Sequence, residues 1–432
     1  MIYLFRKKTE RKCAMLFQDE RFGLFVHWGI YSVGGWHEQE QWRRGISKQE
    51  YIKYKDQFNP EGYSPDQWLS LAKEAGMQYV VFTAKHHDGF CMWDTKFSDY
   101  NVMHTPYGKD ILAEVAKSCK KYGLKLGVYY SVPDWNCPYS VNYGGDHQLA
   151  EPNAGDTPDE EAYKNYIKDQ MTELLGGRYG EISALFWDIP PVHQDESVNE
   201  YVRKLMPGIL INDRGYSAGD YSTPEREVPK NKSFSGLTEA CQSVGRESWG
   251  FRTNEDYLSH LFLECAIDAV MCKGGNYLLN VGPDARGYLP KQTEETLKQV
   301  GSWFRRVSES YFGAKLVDVG INQAINDVTV TKKDNFLYIH LPAPAESDGL
   351  ALKPISVLPK SAVVLNNGQE LNCELAYMPF YFFAGGAEAE YLHVMEIPVN
   401  KLAGEVIVLR LEFENLDEML GTLEQTDTNI IL

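Results

Sequence analysis

Two acidic residues could carry the two halves of a glycoside cleavage. Asp188 directly follows the apolar run 184–187, and Glu225 lies in a loop flanked by glycine and proline at 219–229. Glycoside cleavage needs one carboxylate to meet the positive charge that develops on the sugar, and one carboxylic acid to protonate the departing oxygen. Asp188 at the end of a buried strand is costly unless it is hydrogen-bonded or functional, so a capping role is its alternative interpretation. Glu225 taken alone could be an ordinary solvated charge.

A third polar stretch, 212–214, lies between these two carboxylates in the sequence. It follows the short apolar run 209–211, which reads as a buried strand. An arginine placed directly after a buried strand is expected to fork onto a carboxylate or a substrate oxygen, with a surface ion pair as the alternative. Arg214 is therefore a candidate partner of Asp188, Glu225 or the substrate.

Three histidines also follow predicted strands: His27, His86 and His87. A neutral imidazole can donate and accept a hydrogen bond at once, so these side chains could bind sugar hydroxyls, although buried structural histidines would look the same. The adjacent pair could instead bind a metal ion. Neighbours on an extended strand point to opposite faces, whereas the histidines of a zinc site converge, so we predict no metal site and no cofactor.

These residues lie in a repeating pattern of strands and helices. Short apolar runs rich in β-formers alternate with helical periodicity, which is typical of βα units and a parallel sheet. The candidate residues fall at the carboxyl ends of the strands, as in the active site of a (β/α)8 barrel, and no GxGxxG follows an early strand to favour dinucleotide binding. Strands are predicted at 24–26, 79–84, 124–130, 182–187, 209–211 and 277–281. Helices are predicted at 64–76, 110–122, 157–175, 198–205, 256–271 and 294–305.

The pattern of apolar and polar residues changes after about Phe312. Short alternating runs separated by turn residues, as in 328–331, 336–341, 362–365 and 406–411, are typical of a β-sandwich. We therefore predict an α/β chain with an N-terminal lead-in at 1–20, a catalytic (β/α)8-type, TIM-like barrel at 21–312, and a C-terminal β-sandwich domain with an acidic tail at 313–432. Aromatic residues at 377–383 could contact a glycan, but an ordinary core is the simpler interpretation.

The composition excludes several classes of protein. The chain has 432 residues, 43% hydrophobic and 24% charged, and a formal net charge of -17. It lacks the basic stripe that nucleic acid requires and any stretch near the roughly 20 apolar residues of a membrane span. The eight cysteines form no CxxC pair, and the first residues lack the apolar run of a signal peptide. We expect a cytoplasmic protein, unless the chain is a processed form of a periplasmic, extracellular or lysosomal one.

From Arg21 to about Phe312 the chain resembles the retaining α-L-fucosidases of glycoside hydrolase family 29. The resemblance implies a barrel of (β/α)8 type followed by a β-sandwich, in agreement with the pattern of predicted elements. The segments that carry it are FGLFVHWGIYS at 22–32, KHHDGFCMWDTKFSDYN at 85–101, GVYYS at 127–131, NDRG at 212–215, GDYSTPEREVP at 219–229 and KGGNYLLNVGPDARG at 273–287.

The resemblance implies a role for each matching residue. Asp188 matches the catalytic nucleophile and Glu225 the acid/base. The residues that would line the fucose pocket are His27, Trp42, His86, His87, Tyr129, Trp187 and Arg214. The chain departs from the family pattern at two places: Ile189, Pro190 and Pro191 stand where a glycine commonly follows the nucleophile, and Gln41 stands before Trp42 where a glutamate is usual.

The function implied is hydrolysis of terminal α-L-fucose by double displacement. Asp188 would attack the anomeric carbon while Glu225 protonates the leaving oxygen, and Glu225 would then act as base on water. The expected partner is a fucosylated oligosaccharide or glycoconjugate; the sequence gives no oligomeric state. Two alternatives remain at this point, a glycosidase of another sugar class and a catalytically silent fucose-binding homologue.

Overall fold

A computed structural model describes residues 20–227, 234–317, 322–323, 328–353, 355–377 and 390–420. The described residues form two compact units. The first holds residues 20–227, 235–258 and 276–298, and the second holds 234, 259–275 and the described residues from 299 onward. The units therefore interleave along the chain, and the boundary predicted after Phe312 lies inside the second unit.

The first unit is built around a curled parallel sheet of seven strands. Their order across the sheet is β5-β4-β3-β2-β1-β7-β6, and every neighbouring pair is parallel. The strands are buried almost throughout, which explains the near-continuous apolar sequences of most of them. Their bounds are β1 Phe22–Val26, β2 Tyr79–Lys85, β3 Lys125–Ser131, β4 Ile182–Asp188, β5 Leu210–Ile211, β6 Glu239–Ser243 and β7 Asn276–Val281.

A short extended segment at 221–225 fills the gap between β5 and β6. It makes isolated parallel bridges on both sides, from Tyr221 to Asn212 and from Glu225 to Cys241. Backbone hydrogen bonds accompany these bridges: Cys241 N donates to Pro224 O over 3.0 Å. The segment thus takes the place of an eighth strand and closes the sheet into a TIM-like barrel. This confirms the predicted fold class.

The helices begin and end where local chemistry favours it. Asp110 caps the second long helix by accepting from Ala113 N, and Gly123 ends that helix in the left-handed conformation at φ 64°. Two predicted starts were wrong, because the capping side chains are Asp159 and Ser259, a few residues later than expected. The helices are α1 Tyr31–Gly34, α2 Glu40–Arg43, α3 Lys48–Tyr51, α4 Pro65–Glu74, α5 Ile111–Tyr122, α6 Glu160–Leu175, α7 Glu196–Leu205, α8 His260–Cys272 and α9 Lys291–Val307.

The second unit contains two antiparallel sheets that share one apolar core. Their orders are β13-β16-β11-β10-β8 and β14-β15-β12-β9. Side chains of both sheets, such as Leu337 and Leu409 from the first and Leu352 and Leu392 from the second, belong to the same buried cluster, as in a β-sandwich. The strands are β8 Lys315–Leu316, β9 Asn322–Gln323, β10 Thr329–Lys333, β11 Phe336–His340, β12 Leu350–Lys353, β13 Ser361–Val364, β14 Asn372–Ala376, β15 Tyr391–Met395 and β16 Val408–Glu412.

Some of the sequence predictions lie outside the described residues. These are the lead-in up to residue 19, most of the aromatic cluster at 377–383, and the tail from 421 onward. Within the ranges that the structure describes, no helix combines the length and the apolar character that crossing a membrane would require.

Candidate active site

A pocket opens at the carboxyl ends of the barrel strands. The space within the pocket and in front of its mouth amounts to about 420 Å³. Because each strand delivers a side chain to the same end, residues far apart in the sequence converge there. The pocket is lined by Phe25, His27, Glu38, Gln39, His86, His87, Tyr129, His147, Phe186, Asp188, Ile189, Arg214, Glu225, Cys241 and Trp249.

Asp188 is the last residue of β4 and lies between two donors. The Tyr129 hydroxyl donates to its Oδ2 over 2.7 Å, and Arg214 Nη1 donates to its Oδ1 over 3.2 Å. The adjacent strand ends are fixed by Asn212, whose side chain accepts from Trp187 N and donates to Trp187 O, each over 2.8 Å. The carboxylate is therefore held rigidly at the strand end with both oxygens engaged.

Arg214 joins the two carboxylates. Its Nη1 also donates to Glu225 Oε2 over 2.6 Å, while its Nε and Nη2 donate to Thr223 Oγ1 and Thr223 O over 2.8 and 2.7 Å. Asp188 Oδ1 and Glu225 Oε2 can thus lie at most 5.8 Å apart, the 3.2 Å bond plus the 2.6 Å bond. Carboxyl groups of retaining glycosidases lie about 5 to 5.5 Å apart, and those of inverting enzymes about 6.5 to 9.5 Å apart.

The surroundings of Asp188 keep it charged. Burial alone would raise the pKa of this carboxyl, but the positive charge of Arg214, the proximity of His87 and the hydrogen bond from Tyr129 outweigh burial and lower the pKa below its ordinary value. Burial and the neighbouring Asp188 charge together raise the pKa of Tyr129 well above its usual range. Tyr129 therefore remains a donor and Asp188 an acceptor around neutral pH.

Three histidines of the pocket, His27, His86 and His87, are neutral at neutral pH. Burial lowers the pKa of His87 to about 4, against the attraction of Asp188, and burial also lowers the pKa values of His27 and His86. The Nδ1 of His27 lies 2.6 Å from the acceptor Asn280 Oδ1, so the proton of the ring is on that nitrogen. Its Nε2 therefore carries a lone pair that can accept a hydroxyl proton.

The same argument fixes the ring of His87. Its Nδ1 lies 2.6 Å from Ser131 Oγ, which gives its own proton to Pro133 O over 2.7 Å. His87 Nδ1 must then be the donor to the serine. Its Nε2, 3.7 Å from Asp188 Oδ2, is left as an acceptor beside the carboxylate.

The expectation that His86 and His87 point to opposite faces was wrong. Both rings line the pocket, with centroids 4.2 Å apart, because β2 ends at Lys85 and the chain is no longer extended at these residues. The alternation of side chains holds only while the strand continues. The Nδ1 of His86 is buried and has no hydrogen-bond partner among the described residues.

Two predicted pocket residues lie elsewhere. Trp187 is fully buried outside the pocket, where its Nε1 donates to Asn199 Oδ1 over 2.9 Å, because neighbours on a strand face opposite sides and Asp188 faces inward. Trp42, on α2, does not line the pocket; its ring lies 5.3 Å from that of His147, which does. The predicted residues that do meet in the pocket are His27, His86, His87, Tyr129, Asp188, Arg214 and Glu225.

Glu38 is a third carboxylate of the pocket that sequence reasoning missed. It is fully buried, and its Oε2 accepts from Ser248 Oγ, Trp249 N and Gly250 N over 2.6, 2.9 and 3.1 Å. Burial would raise its pKa, yet nearby His37 and these donors hold the pKa below its ordinary value. His37 Nδ1 lies 3.4 Å from the other oxygen, Oε1, but is engaged as the acceptor of Gln39 N over 3.0 Å. Glu38 Oε1 has no donor within the described part of the chain.

The other missed residues are mostly aromatic or apolar. Phe25 and Phe186 lie two residues before His27 and Asp188, so strand alternation applied from those residues would have found both. Trp249 follows β6, a strand whose sequence EACQS carries little β signal. No comparable signal marks His147, which lies in the long connection between β3 and α6.

One cluster with metal-ligand chemistry lies in the second unit. Within the described residues, three potential ligands lie within 4.8 Å of one another: Asp268, Cys272 and His340. Asp268 Oδ1 already accepts from Tyr311 over 2.7 Å and lies 2.6 Å from His340 Nδ1. These bonds account for the cluster as a buried hydrogen-bond network.

Comparison with known proteins agrees with the geometry of the pocket. Residues 5–309 match the family model described as "Alpha-L-fucosidase". The α-L-fucosidase of Dictyostelium discoideum is 30% identical over 340 residues, which cover 69% of this chain and 71% of that protein. α-L-Fucosidase isoenzyme 1 from Paenibacillus thiaminolyticus has a TM-score of 0.84 at 30% identity, covering 94% of this chain and 100% of the other.

A more distant likeness concerns the fold. A glycoside hydrolase family 29 α-L-fucosidase from Bacteroides thetaiotaomicron, solved as a trapped covalent intermediate with 2-fluoro-fucosyl fluoride, has a TM-score of 0.74 at 24% identity, covering 92% of this chain and 95% of that one. The family match extends over more than half of the chain, through every strand of the barrel. The chain therefore belongs to the α-L-fucosidase family, glycoside hydrolase family 29.

Proposed function

We propose that this protein is a retaining exo-α-L-fucosidase that removes terminal α-L-fucose from oligosaccharides or glycoconjugates. The observation that carries the proposal is the bridging of Asp188 and Glu225 by a single nitrogen of Arg214, which keeps the bridged oxygens within 5.8 Å of each other, closer than the roughly 6.5 Å or more that inverting enzymes require. The covalent intermediate of the related Bacteroides enzyme supports the same reaction course. A pocket closed at one end suits removal of a terminal sugar.

The two carboxylates take different roles because their surroundings differ. Asp188 is mostly but not fully buried, charged and fixed by Tyr129 and Arg214, which suits a nucleophile that must attack the anomeric carbon from one position. Glu225 is more exposed and engages Arg214 through Oε2 only. Its other oxygen, Oε1, makes no hydrogen bond within the described residues and is available to carry the proton that is delivered to the leaving oxygen.

The reaction proceeds in two displacements. Asp188 forms a bond to the anomeric carbon as the glycosidic bond breaks, and the proton from Glu225 goes to the leaving oxygen, so that the aglycone departs as an alcohol. Glu225, now a carboxylate, takes a proton from water as the water oxygen attacks the anomeric carbon and releases Asp188. The lone pairs on His27 Nε2 and His87 Nε2 accept hydroxyl protons of the bound sugar.

Hydrolysis of 4-nitrophenyl α-L-fucoside, measured beside a panel of other aryl glycosides, tests this function. We expect turnover of the fucoside alone, with the α-anomer of fucose as the first product seen by proton NMR. Turnover of a different glycoside would indicate another sugar class. Binding of fucose without any product would indicate a silent homologue, and β-fucose as first product would contradict retention.

Glu38 is proposed to accept a hydrogen bond from a fucose hydroxyl. Its Oε1 is buried against the pocket and lacks a donor, which a sugar hydroxyl would supply. Replacement Glu38→Gln removes the charge that strengthens this bond. We expect kcat/KM for 4-nitrophenyl α-L-fucoside to fall on the order of 10- to 100-fold, corresponding to about 1.5 to 3 kcal/mol for a hydrogen bond to a charged group.

A neighbouring buried glutamate provides the matched control. Glu40 is equally buried on α2 but lies outside the pocket and pairs with Arg44 over 2.8 Å. Glu40→Gln should leave kcat/KM within a few-fold of wild type if it folds. Equal losses in the two variants would mean that the segment only needs its charges to fold, and Glu38 would then lose its role in binding.

A further inference from the structure

The exposure of the lining residues distinguishes the closed end of the pocket from its mouth. His86, His87 and Tyr129 are almost completely buried, and they mark its closed end. The side chains of Arg214, His147 and Glu225 are 21%, 26% and 37% exposed, and they mark its mouth. In an exo-acting glycosidase the terminal sugar fills the closed end. The aglycone must then leave through the ring of residues at the mouth.

Two residues at the mouth have no part in the bond-breaking steps. His147 lines the pocket from the β3 to α6 connection, with its ring 5.3 Å from Trp42 and 6.0 Å from His87. Its carbonyl oxygen accepts from Trp135 Nε1 over 3.2 Å. The imidazole is therefore packed beside an aromatic ring, its Nδ1 lies 3.2 Å from Asp146 Oδ2, and its backbone is tethered, so the ring has a defined position.

Ile189 lines the pocket next to the nucleophile. Its φ of 58° is in the left-handed region, which is unusual for any residue with a Cβ and most unfavourable for a β-branched one. Glycine would adopt this turn without strain. Pro190 and Pro191 follow, and they stiffen the chain on the far side of the turn. An isoleucine here keeps an aliphatic side chain at the pocket against the preference of its own backbone.

Among the described residues other than glycine, left-handed backbone is most frequent around this pocket. Five described residues other than glycine have positive φ: His147, Ile189, Arg226, Asp334 and Glu396. The first two line the pocket and the third directly follows Glu225. Such strain persists where the surrounding structure enforces it, and it clusters at functional sites. The surrounding structure thus holds the side chains at the mouth of the pocket in defined positions.

We infer that His147 and Ile189 form the subsite that binds the aglycone, and that this subsite takes an uncharged ring with an apolar face. A pyranose of a glycan and an aryl group both have such a face, which packs on the aliphatic side chain of Ile189 and on the supported ring of His147. The inference rests on the proposed fucosidase activity and adds the residues that select its leaving group.

The test compares substrates with and without an aglycone ring. α-L-Fucosyl fluoride releases a single atom, whereas 4-nitrophenyl α-L-fucoside and a fucosylated lactose release rings. The variants are Ile189→Gly and His147→Asn, because glycine and asparagine tolerate the left-handed turn and remove the side chain of interest. Ile189→Asn keeps the turn and much of the volume but makes the surface polar.

We expect the ratio of kcat/KM for the ring-bearing substrates to kcat/KM for the fluoride to fall about tenfold or more in each variant. Asp334→Gly, at a left-handed position in the second unit, is the matched control and should leave this ratio unchanged. Thermal unfolding should give Ile189→Gly a midpoint no lower than wild type, since the substitution relieves the strained turn.

An unchanged ratio in Ile189→Gly and His147→Asn would overturn the inference, whether both substrates keep their rates or lose them equally. Equal losses would place the two residues in support of Asp188 instead. Wild-type enzyme that fails on the fluoride as well would contradict the fucosidase proposal itself. The wild-type rate on the fluoride therefore separates failure of the function from failure of the subsite.

Discussion

Replacing Asp188 with alanine is expected to lower kcat for 4-nitrophenyl α-L-fucoside by roughly 10⁴- to 10⁶-fold, the range seen when single residues of a catalytic triad are removed. The carboxylate that would bond to the anomeric carbon is lost, while the barrel around it is retained because Asp188 stands at a strand end with partial exposure. Initial rates and single-turnover kinetics of purified Asp188→Ala protein measure the effect.

Added azide tests whether the loss of kcat in Asp188→Ala is due to the missing nucleophile. The shorter side chain leaves room for a small anion beside the anomeric carbon, and attack from that side gives β-L-fucosyl azide, with inverted configuration. Asp195→Ala removes a partly exposed carboxylate that caps α7, outside the pocket, and should keep wild-type kcat. An Asp188→Ala protein that stays folded and retains even a tenth of wild-type kcat would rule out Asp188 as nucleophile.

The effect of Glu225→Gln should depend on the leaving group. Loss of a general acid costs about 10²- to 10⁴-fold, and the cost applies only where the departing oxygen needs a proton. We expect a loss in this range for fucosylated lactose and a much smaller loss in the first step for 2,4-dinitrophenyl α-L-fucoside. The second step also slows, because no base activates the water, so a burst of dinitrophenol should precede a slow steady state.

Azide again distinguishes the role of Glu225. It needs no base, so it should accelerate the steady state of Glu225→Gln and yield α-L-fucosyl azide, with the configuration retained because Asp188 is intact. The opposite anomers of fucosyl azide from the two variants assign the two carboxylates separately. Equal losses for poor and good leaving groups would show that Glu225 does not deliver the proton.

Much of the barrel could be predicted because its signals are local. Buried strands such as β2 and β4 are continuous apolar runs, and the polar residue that ends each run marks the active end of the barrel. The predictions failed where the signal is weak or distant. β6 has the sequence EACQS, and the closing segment at 221–225 is defined by its partners rather than by its composition.

The site shows the same division. Asp188, Arg214 and the three histidines follow strands and were found. Glu225 was singled out only as a loop carboxylate whose role came from the family resemblance, and Tyr129 entered through that resemblance alone. Trp187 was misplaced because the alternation along β4 was not applied from Asp188 backwards. Glu38 was missed because nothing in its local sequence reveals that Ser248 and two backbone amides, more than two hundred residues away, hold one of its oxygens and leave the other facing the pocket.

The closing segment of the barrel at 221–225 carries the proton donor, whereas a regular strand carries the nucleophile. Asp188 ends a strand that is paired along its length with β3, whereas Glu225 belongs to the closing segment at 221–225, which is joined to its neighbours by isolated bridges. A change in the length or sequence of that segment would alter how the proton reaches the departing oxygen. It would leave Asp188, the residue that bonds to the sugar, in place. The position of the proton donor is thus set separately from the position of the nucleophile.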